Sequence, residues 1–306
     1  MEPIMNKPPV CDYEGSDYQK TFWDSGGREY EDRCEELAIR RLLPKKGRLL
    51  LELGAGAGRN TPRYGGYERI VLLDYSLSQL QQARERLGGG GRYVYVAANI
   101  YQLPFVPGLF DSATMIRTLH HLADPVLALK EIRRVLEPGS FFLLEYANKL
   151  NLKSIVRFLL GRQSWNPFSL DPVEYLPLNF DFHPLRIRNW LESGGFSTLR
   201  QATVSHFRIG WVKRTVPTPL LARLDYLLGY TGGLWQLSPS VFLLAQANIA
   251  GSESEKDSGF FQCPLCQSSD LIEVDRSGEL YLACAGCHQM FPIRNGIYDF
   301  KESFPA

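Results

Sequence analysis

Four sets of residues carry types and spacings that could do chemistry. The first is Leu49-Leu-Leu-Glu-Leu-Gly-Ala-Gly-Ala-Gly58, an apolar run ending in alternating glycines, with an acid, Glu52, two residues before the first of them. Missing Cβ atoms let a ligand approach the backbone, and a following helix would present its N-terminal N–H groups, so this is a nucleotide-type pattern. The nicotinamide fingerprint GxGxxG would need glycine at 59, where Arg59 stands. The second is Asp74, at the end of the apolar run Arg69 to Asp74. An acid there can accept hydrogen bonds from both hydroxyls of an adenosine ribose and disfavours a 2′-phosphate. The third is Arg117 with His120 and His121, candidates for a base or an orienting group. The fourth is Cys263-Pro-Leu-Cys266 and Cys284-Ala-Gly-Cys287, two thiol pairs 17 residues apart. That spacing matches tetrahedral Cys₄ zinc ribbons and fits metal better than a pair of redox dithiols, with His288 a spare ligand.

These groups need a scaffold, and the apolar periodicity supplies one. Short apolar runs followed by turn signals predict buried parallel strands at Arg48 to Gly54 and Arg69 to Asp74. Further strands are expected at Arg92 to Ala98, Ser112 to Arg117, Ser140 to Tyr146, Ser197 to Val204 and Val241 to Ala247. Between them lie helical patterns: Ser76 caps one carrying Leu77, Leu80, Ala83 and Leu87, and Asp124-Pro125 opens one carrying Val126, Leu129, Ile132 and Leu136. Gly88 to Gly91 is a helix stop and a flexible turn. The alternation means a doubly wound α/β fold.

The residues from about Gly47 to Tyr146 resemble, in order, the class I S-adenosylmethionine-dependent methyltransferases, including the quinone C-methyltransferase group. Besides LELGAGAG and Asp74, Ala98-Asn-Ile-Tyr-Gln-Leu-Pro-Phe105 is similar to the family's Asp-x-x-x-Leu-Pro segment, with Asn99 in place of the acid. Phe110 to His121 resembles the fourth strand and the loop facing the methyl group, and Leu136 to Glu145 the turn into the fifth strand. The resemblance implies a Rossmann-like seven-stranded methyltransferase sheet. It also implies a cofactor contact set of Glu52, Gly54, Ala55, Gly56, Gly58, Asp74, Tyr75, Asn99, Ile100 and Arg117. Within it Glu52 is oriented toward the methionine ammonium, Asp74 binds the ribose, and the Asn99 oxygen accepts from the adenine amine. Cys263 to Tyr298 resembles the small zinc-ribbon family that serves as an activating subunit of RNA and protein methyltransferases, here fused in cis.

Plainer roles exist for each group. A glycine run can be a tight turn, Asp74 a helix cap, Asn99 a turn residue, and paired histidines capping or packing groups.

The chain has 306 residues and a formal charge of +1, which argues against a wholesale polyanion binder. No window is long and apolar enough for a bilayer span, and the N-terminus lacks the apolar stretch of a signal peptide, so a cytoplasmic protein is expected. The composition shifts at Ala250 to Gly259, giving expected units of an N-terminal helical lid (1–45), a methyltransferase domain (46–250), a linker (251–259) and a zinc-ribbon domain (260–306). The methyl donor is already electrophilic, so the protein need only align an acceptor, exclude water and, for some substrates, remove a proton. Tyr18 to Tyr30 could close over the cofactor, and Phe158, Trp165, Phe168, Tyr175, Phe180, Phe182, Trp190 and Trp211 could line an apolar acceptor pocket. A small or lipid-like acceptor is therefore expected. From Ser193 to Leu224 there are five Arg or Lys and no acid, which leaves tRNA, rRNA or a translation protein as an alternative. A non-catalytic zinc-containing scaffold is a further alternative, against which the intact glycine loop speaks.

Overall fold

The computed structural model describes residues 8–17, 19–25, 27–249 and 259–306. The linker expected at 251–259 lies almost wholly outside them. After one wide helical turn at Gln19–Asp24, the chain forms α1 (Glu29–Leu42), β1 (Gly47–Leu53), β2 (Tyr67–Asp74), α2 (Leu77–Leu87), β3 (Tyr93–Ala97) and β4 (Phe110–Met115). There follow α3 (Pro125–Val135), β5 (Leu136–Ala147), α4 (Leu152–Leu159), the hairpin β6 (Val173–Leu176) and β7 (Asn179–Asp181), and α5 (Pro184–Ser193). Then come β8 (Phe196–Val204), α6 (Gly210–Thr215), α7 (Thr218–Leu228) and β9 (Ser240–Ala247). The C-terminal part contributes β10 (Leu271–Arg276), β11 (Glu279–Cys284), β12 (Gln289–Arg294), β13 (Ile297–Asp299) and β14 (Phe304–Pro305).

Seven strands run in the order β3-β2-β1-β4-β5-β9-β8. The first five are parallel and β9 is antiparallel to both of its neighbours, which is the expected seven-stranded α/β sheet. β1 is an interior strand, between β2 and β4, and from Leu49 to Leu53 every side chain is buried, as a strand covered on both faces requires. The helix signals act locally as expected: Ser76 Oγ accepts from the Gln79 N–H, and Asp124 Oδ1 from the Leu127 N–H with Pro125 at the first helical position.

The C-terminal strands form an antiparallel meander that continues this sheet, because β13 pairs parallel with β3, Ile297 opposite Tyr95 and Asp299 opposite Ala97. Phe261 stacks on Phe105, and Cys263, Cys284, Phe291 and Phe300 join the apolar cluster that also holds Leu51, Val96 and Phe105. The tail thus packs against the catalytic sheet through a shared core.

Candidate active site

β1 delivers Leu53 to Gly54, whose N–H, like that of Ala55, donates to the carbonyl of Leu73 in the neighbouring β2. Gly54 has φ +67°, and a Cβ there would lie 2.1 Å from Thr118 Oγ1, so only glycine fits. Gly58, at φ +70°, turns the chain back with its own Cβ position 2.8 Å from Leu87 on α2. The loop does not open a long α-helix. Thirteen residues separate β1 from β2, room only for one 3₁₀ turn at Thr61–Tyr64, so the helix N-terminus expected from the glycine pattern is reduced to a single tight turn.

Asp74 fixes this loop. Its Oδ2 accepts from the Gly56 N–H at 2.8 Å and its Oδ1 from the Ser76 N–H at 2.9 Å. Burial pushes its carboxyl above the ordinary value, against those same N–H groups. Glu52 is 5% exposed, takes the Thr61 hydroxyl at 2.6 Å, and is pushed up by burial to about 7, although the Thr61 hydrogen bond and the nearby Arg59 charge favour its ionised form.

Glu52, Gly54, Ala55, Gly56, Asp74, Tyr75, Ile100 and Arg117 all face one cavity, together with His121. Gly58 and Asn99 do not line it. Gly58 acts through the loop's path, and the Asn99 oxygen is held by the Tyr101 N–H at 2.9 Å in a turn, with Ala98 and Ile100 forming the wall on either side of it. The turn role foreseen for Asn99 is therefore present in the structure.

Arg117 sits just past β4 in the left-handed region at φ 59°, uncommon for a residue with a Cβ. Its N–H donates to Glu145 Oε2 at 3.0 Å, and its guanidinium pairs with Glu35 of α1 at 2.5 Å. Glu35 is fully buried and also holds Arg59 at 2.6 Å. Burial alone would raise this carboxyl, but the Arg117 and Arg59 charges outweigh it and hold it near 2. Arg59 also pairs with Asp32 and lies 3.5 Å over the Trp23 ring. The residue that spoils the nicotinamide fingerprint thus ties the glycine loop to α1.

The two histidines differ. Burial holds His120 well below the ordinary imidazole value, with the His121 and Arg117 charges adding to it, and its Nδ1 has no partner among the described residues. His121 Nδ1 lies 2.9 Å from the carbonyl of Leu178, which can only accept, so Nδ1 carries the proton. Nε2, 3.0 Å from Tyr13 Oη, is then the acceptor, and burial favours this neutral form. Tyr13 belongs to the N-terminal segment, from which Val10, Cys11, Gln19 and Trp23 also wall the cavity.

The expected ring of acceptor-side aromatics is not assembled here. None of the eight lines the cavity: Phe168, Tyr175 and Trp211 are exposed, Phe182 is in the core, and Phe180 and Trp190 pack against it. The β6–β7 hairpin reaches the site through its backbone, the Leu178 carbonyl on His121, while the side chains lining the cavity on that side come from the N-terminal segment. Glu35, Tyr13 and Thr118 escape notice in the sequence because their roles depend on long-range contacts. The one hint is the clustering of Glu31, Asp32 and Glu35 on consecutive turns of an otherwise apolar helix face.

The four tail cysteines come together with all sulfurs within 4.8 Å of one another, Cys263 to Cys287 at 3.7 Å and Cys266 to Cys284 at 3.5 Å. A tetrahedron with Zn–S of ~2.3 Å has edges of about 3.8 Å, so this donor set fits Zn²⁺.

Residues 51–144 match the family model described as a methyltransferase domain. A demethylmenaquinone methyltransferase of Clavibacter sepedonicus is 27% identical over 180 residues, covering 54% of this chain and 72% of that protein. A ubiquinone/menaquinone biosynthesis C-methyltransferase UbiE of Enterobacter sp. (strain 638) is 35% identical over 114 residues, 35% of this chain and 45% of its own length, so the chain spans under half of that protein. Among solved structures, a chain of the complex between the Haloferax volcanii Trm112 methyltransferase activator and a methyltransferase superposes with a TM-score of 0.53 at 18% identity, over 74% of this chain and 93% of that one. A Thermotoga maritima S-adenosylmethionine-dependent methyltransferase does so with a TM-score of 0.52 at 19% identity, over 76% and 95%.

Proposed function

We propose that the S-adenosylmethionine-dependent methyltransferase domain carried by this chain methylates a small, lipid-like acceptor of the quinol type. The observation that carries this reading is that Tyr13, Gln19 and Trp23 of the N-terminal segment wall the cavity together with Arg117 and His121, Tyr13 Oη lying 3.0 Å from His121 Nε2. A site walled in this way admits a compact acceptor more readily than a folded RNA. The quinone methyltransferases among the relatives support the same substrate class.

The buried carboxylates and the glycine backbone suit the donor: Asp74 and Glu52 offer acceptors to hydroxyl and ammonium groups, and the Gly54-Ala55-Gly56-Ala57 loop beside them carries no side chain larger than a methyl. Bound S-adenosylmethionine supplies an electrophilic methyl. The chain's own contribution is to orient the acceptor, exclude water and receive a proton. His121 Nε2 is the group that receives it, since its Nδ1–H is anchored on Leu178 and burial keeps the ring neutral. Tyr13 Oη, now on Nε2, gives way to the acceptor hydroxyl or relays its proton. Arg117, held by Glu35, places a cation beside the negative charge that develops on the acceptor.

The tail cysteines would hold a structural Zn²⁺. Its knuckle reaches the cofactor side, because the Gln102 amide donates to the carbonyl of Pro264 and Lys301 Nζ lies 4.9 Å over the Tyr75 ring. This proximity favours a stabilising or activating role in cis.

Transfer of labelled methyl from S-adenosylmethionine into a fractionated lysate tests the reading. Label in the organic-soluble fraction, and turnover on a demethylated quinol, are the expected results. Label confined to RNA or to a translation protein would replace it with a macromolecular acceptor.

A further inference from the structure

α4 is amphipathic in the wrong sense for a packed helix. Leu152, Val156 and Leu159 follow one another at helical spacing on one face and are 56%, 45% and 71% exposed, while the buried residue of the helix is Ser154. The Leu152 N–H donates to the carbonyl of Leu237 at 2.8 Å, which joins this face to the loop carrying Leu234, 81% exposed, and Trp235. That loop follows directly on α7, whose Leu227 is also exposed. These exposed apolar side chains thus stand on segments that adjoin one another, where packed helices would bury them.

Along α4 and α7 the charge is one-sided, the exposed acids Asp171 and Glu174 lying beyond, around the start of the β6–β7 hairpin. No acid occurs from Tyr146 to Leu170, and from Ser193 to Ser252 the single acid is Asp225. Asp225 is buried and bonded to Tyr30 and His206, so it does not face this surface. Lys153, Arg157 and Arg162 on and after α4, and Arg223 on α7, are exposed beside the leucines.

We propose that this face docks the protein on an anionic lipid bilayer. Aliphatic side chains bordered by exposed cations fit an interface where the leucines enter the acyl boundary and the lysine and arginines meet lipid phosphates. The centre of a protein–protein interface is depleted of charge, whereas here Lys153 and Arg157 stand on the same helix as the leucines; an RNA surface is built around stacking aromatics, whereas here aliphatic side chains predominate, with Trp235 beside them. The surface also connects to the candidate site. Phe158 of α4 meets Phe168, and Trp165 from the same loop meets Tyr175 of the β6–β7 hairpin, where the Leu178 carbonyl holds His121. The proposal rests on the lipid-like acceptor argued above and supplies its route of delivery.

The test uses the full chain and sedimentation with vesicles of phosphatidylcholine alone or of three parts phosphatidylcholine to one part phosphatidylglycerol. Binding to the mixed vesicles that weakens with added salt is expected, with little binding to the neutral ones. The double variant Leu159→Glu/Leu234→Glu should lose about tenfold or more of that binding, and Arg157→Glu about fivefold. Both should keep wild-type turnover on a water-soluble short-chain quinol and lose it on a long-chain quinol embedded in vesicles. Equal binding by wild type and double variant, or none by either, overturns the proposal. So does a wild-type dimer that Leu159→Glu/Leu234→Glu converts to monomer without any change with vesicles, or tighter binding to single-stranded RNA that the vesicles cannot displace. Vesicle binding is read without catalysis, so absence of quinol turnover would strike the proposed function while leaving this result standing.

Discussion

The Glu35 carboxylate of α1 and the Arg117 guanidinium beyond β4 meet at 2.5 Å, so a helix from the N-terminal segment holds the arginine that faces the cavity lined by Glu52, Asp74 and His121. Removing one partner of a buried, multiply bonded ion pair leaves the others uncompensated. Glu35→Gln should therefore cost about 3–5 kcal/mol of stability, measured by denaturant unfolding. Because Glu35 is held near 2, below its ordinary 4.5, the folded state binds its proton more weakly than the unfolded chain. Its contribution is complete above pH 4.5 and is lost as pH falls toward 2. The acid limb of the stability curve should flatten in the variant; an unchanged limb would show that Glu35 is not the group responsible.

Asp74 both positions the Gly56 N–H and faces the cavity, so Asp74→Ala should weaken S-adenosylhomocysteine by about ten- to a hundredfold in calorimetric titration. A variant binding as well as wild type would move the ribose site elsewhere.

Glu52 gives cofactor binding a pH dependence. With its carboxyl at about 7, it is half protonated in neutral buffer, and only the carboxylate can accept fully from an ammonium group. Affinity for S-adenosylhomocysteine should rise as pH climbs through about 7, and Glu52→Gln should abolish the slope. The unliganded protein should show the opposite trend: since folding raises this carboxyl, its stability declines between about pH 4.5 and 7.

His121→Ala should lose about 100-fold or more in turnover while keeping S-adenosylhomocysteine affinity. Tyr13→Phe should retain the base and lose only the relay, a smaller effect. Since burial holds His121 below the ordinary value, the wild-type rate should already be at its plateau by pH 7. A fully active His121→Ala would exclude it as the proton acceptor.

Cys284→Ser, or chelation, should release bound zinc and lower the melting temperature of the entire chain, because Cys263 and Cys284 belong to the same apolar cluster as β1 and β3. Two separate transitions, with the catalytic part unmoved, would show that the tail stands apart.

The positions of the seven strands of the α/β sheet and both helix caps were legible because each depends on residues near in sequence, as with Ser76 and Gln79 or Asp124 and Leu127. The glycine loop was legible for the same reason. What lay hidden was held by distant pairs: Arg59 with Glu35, Tyr13 with His121, Leu178 with His121. Composition could not distinguish an aromatic that walls a cavity from one that packs elsewhere, which is why Trp165, Tyr175 and Trp211 were expected in the pocket. The pairing of β13 with β3 is equally silent in the sequence, since backbone hydrogen bonds carry no residue code.

That pairing has a temporal side. β3 would be the outermost strand of the catalytic sheet without β13, with one row of its backbone groups open to any passing strand. The segment that covers it, Ile297–Asp299, follows Ala97 at the end of β3 by 200 residues. During synthesis the seven-stranded sheet therefore emerges with a sticky margin. It stays in that condition until β13 has followed it out, a window in which nascent chains are open to mispairing or to chaperone capture.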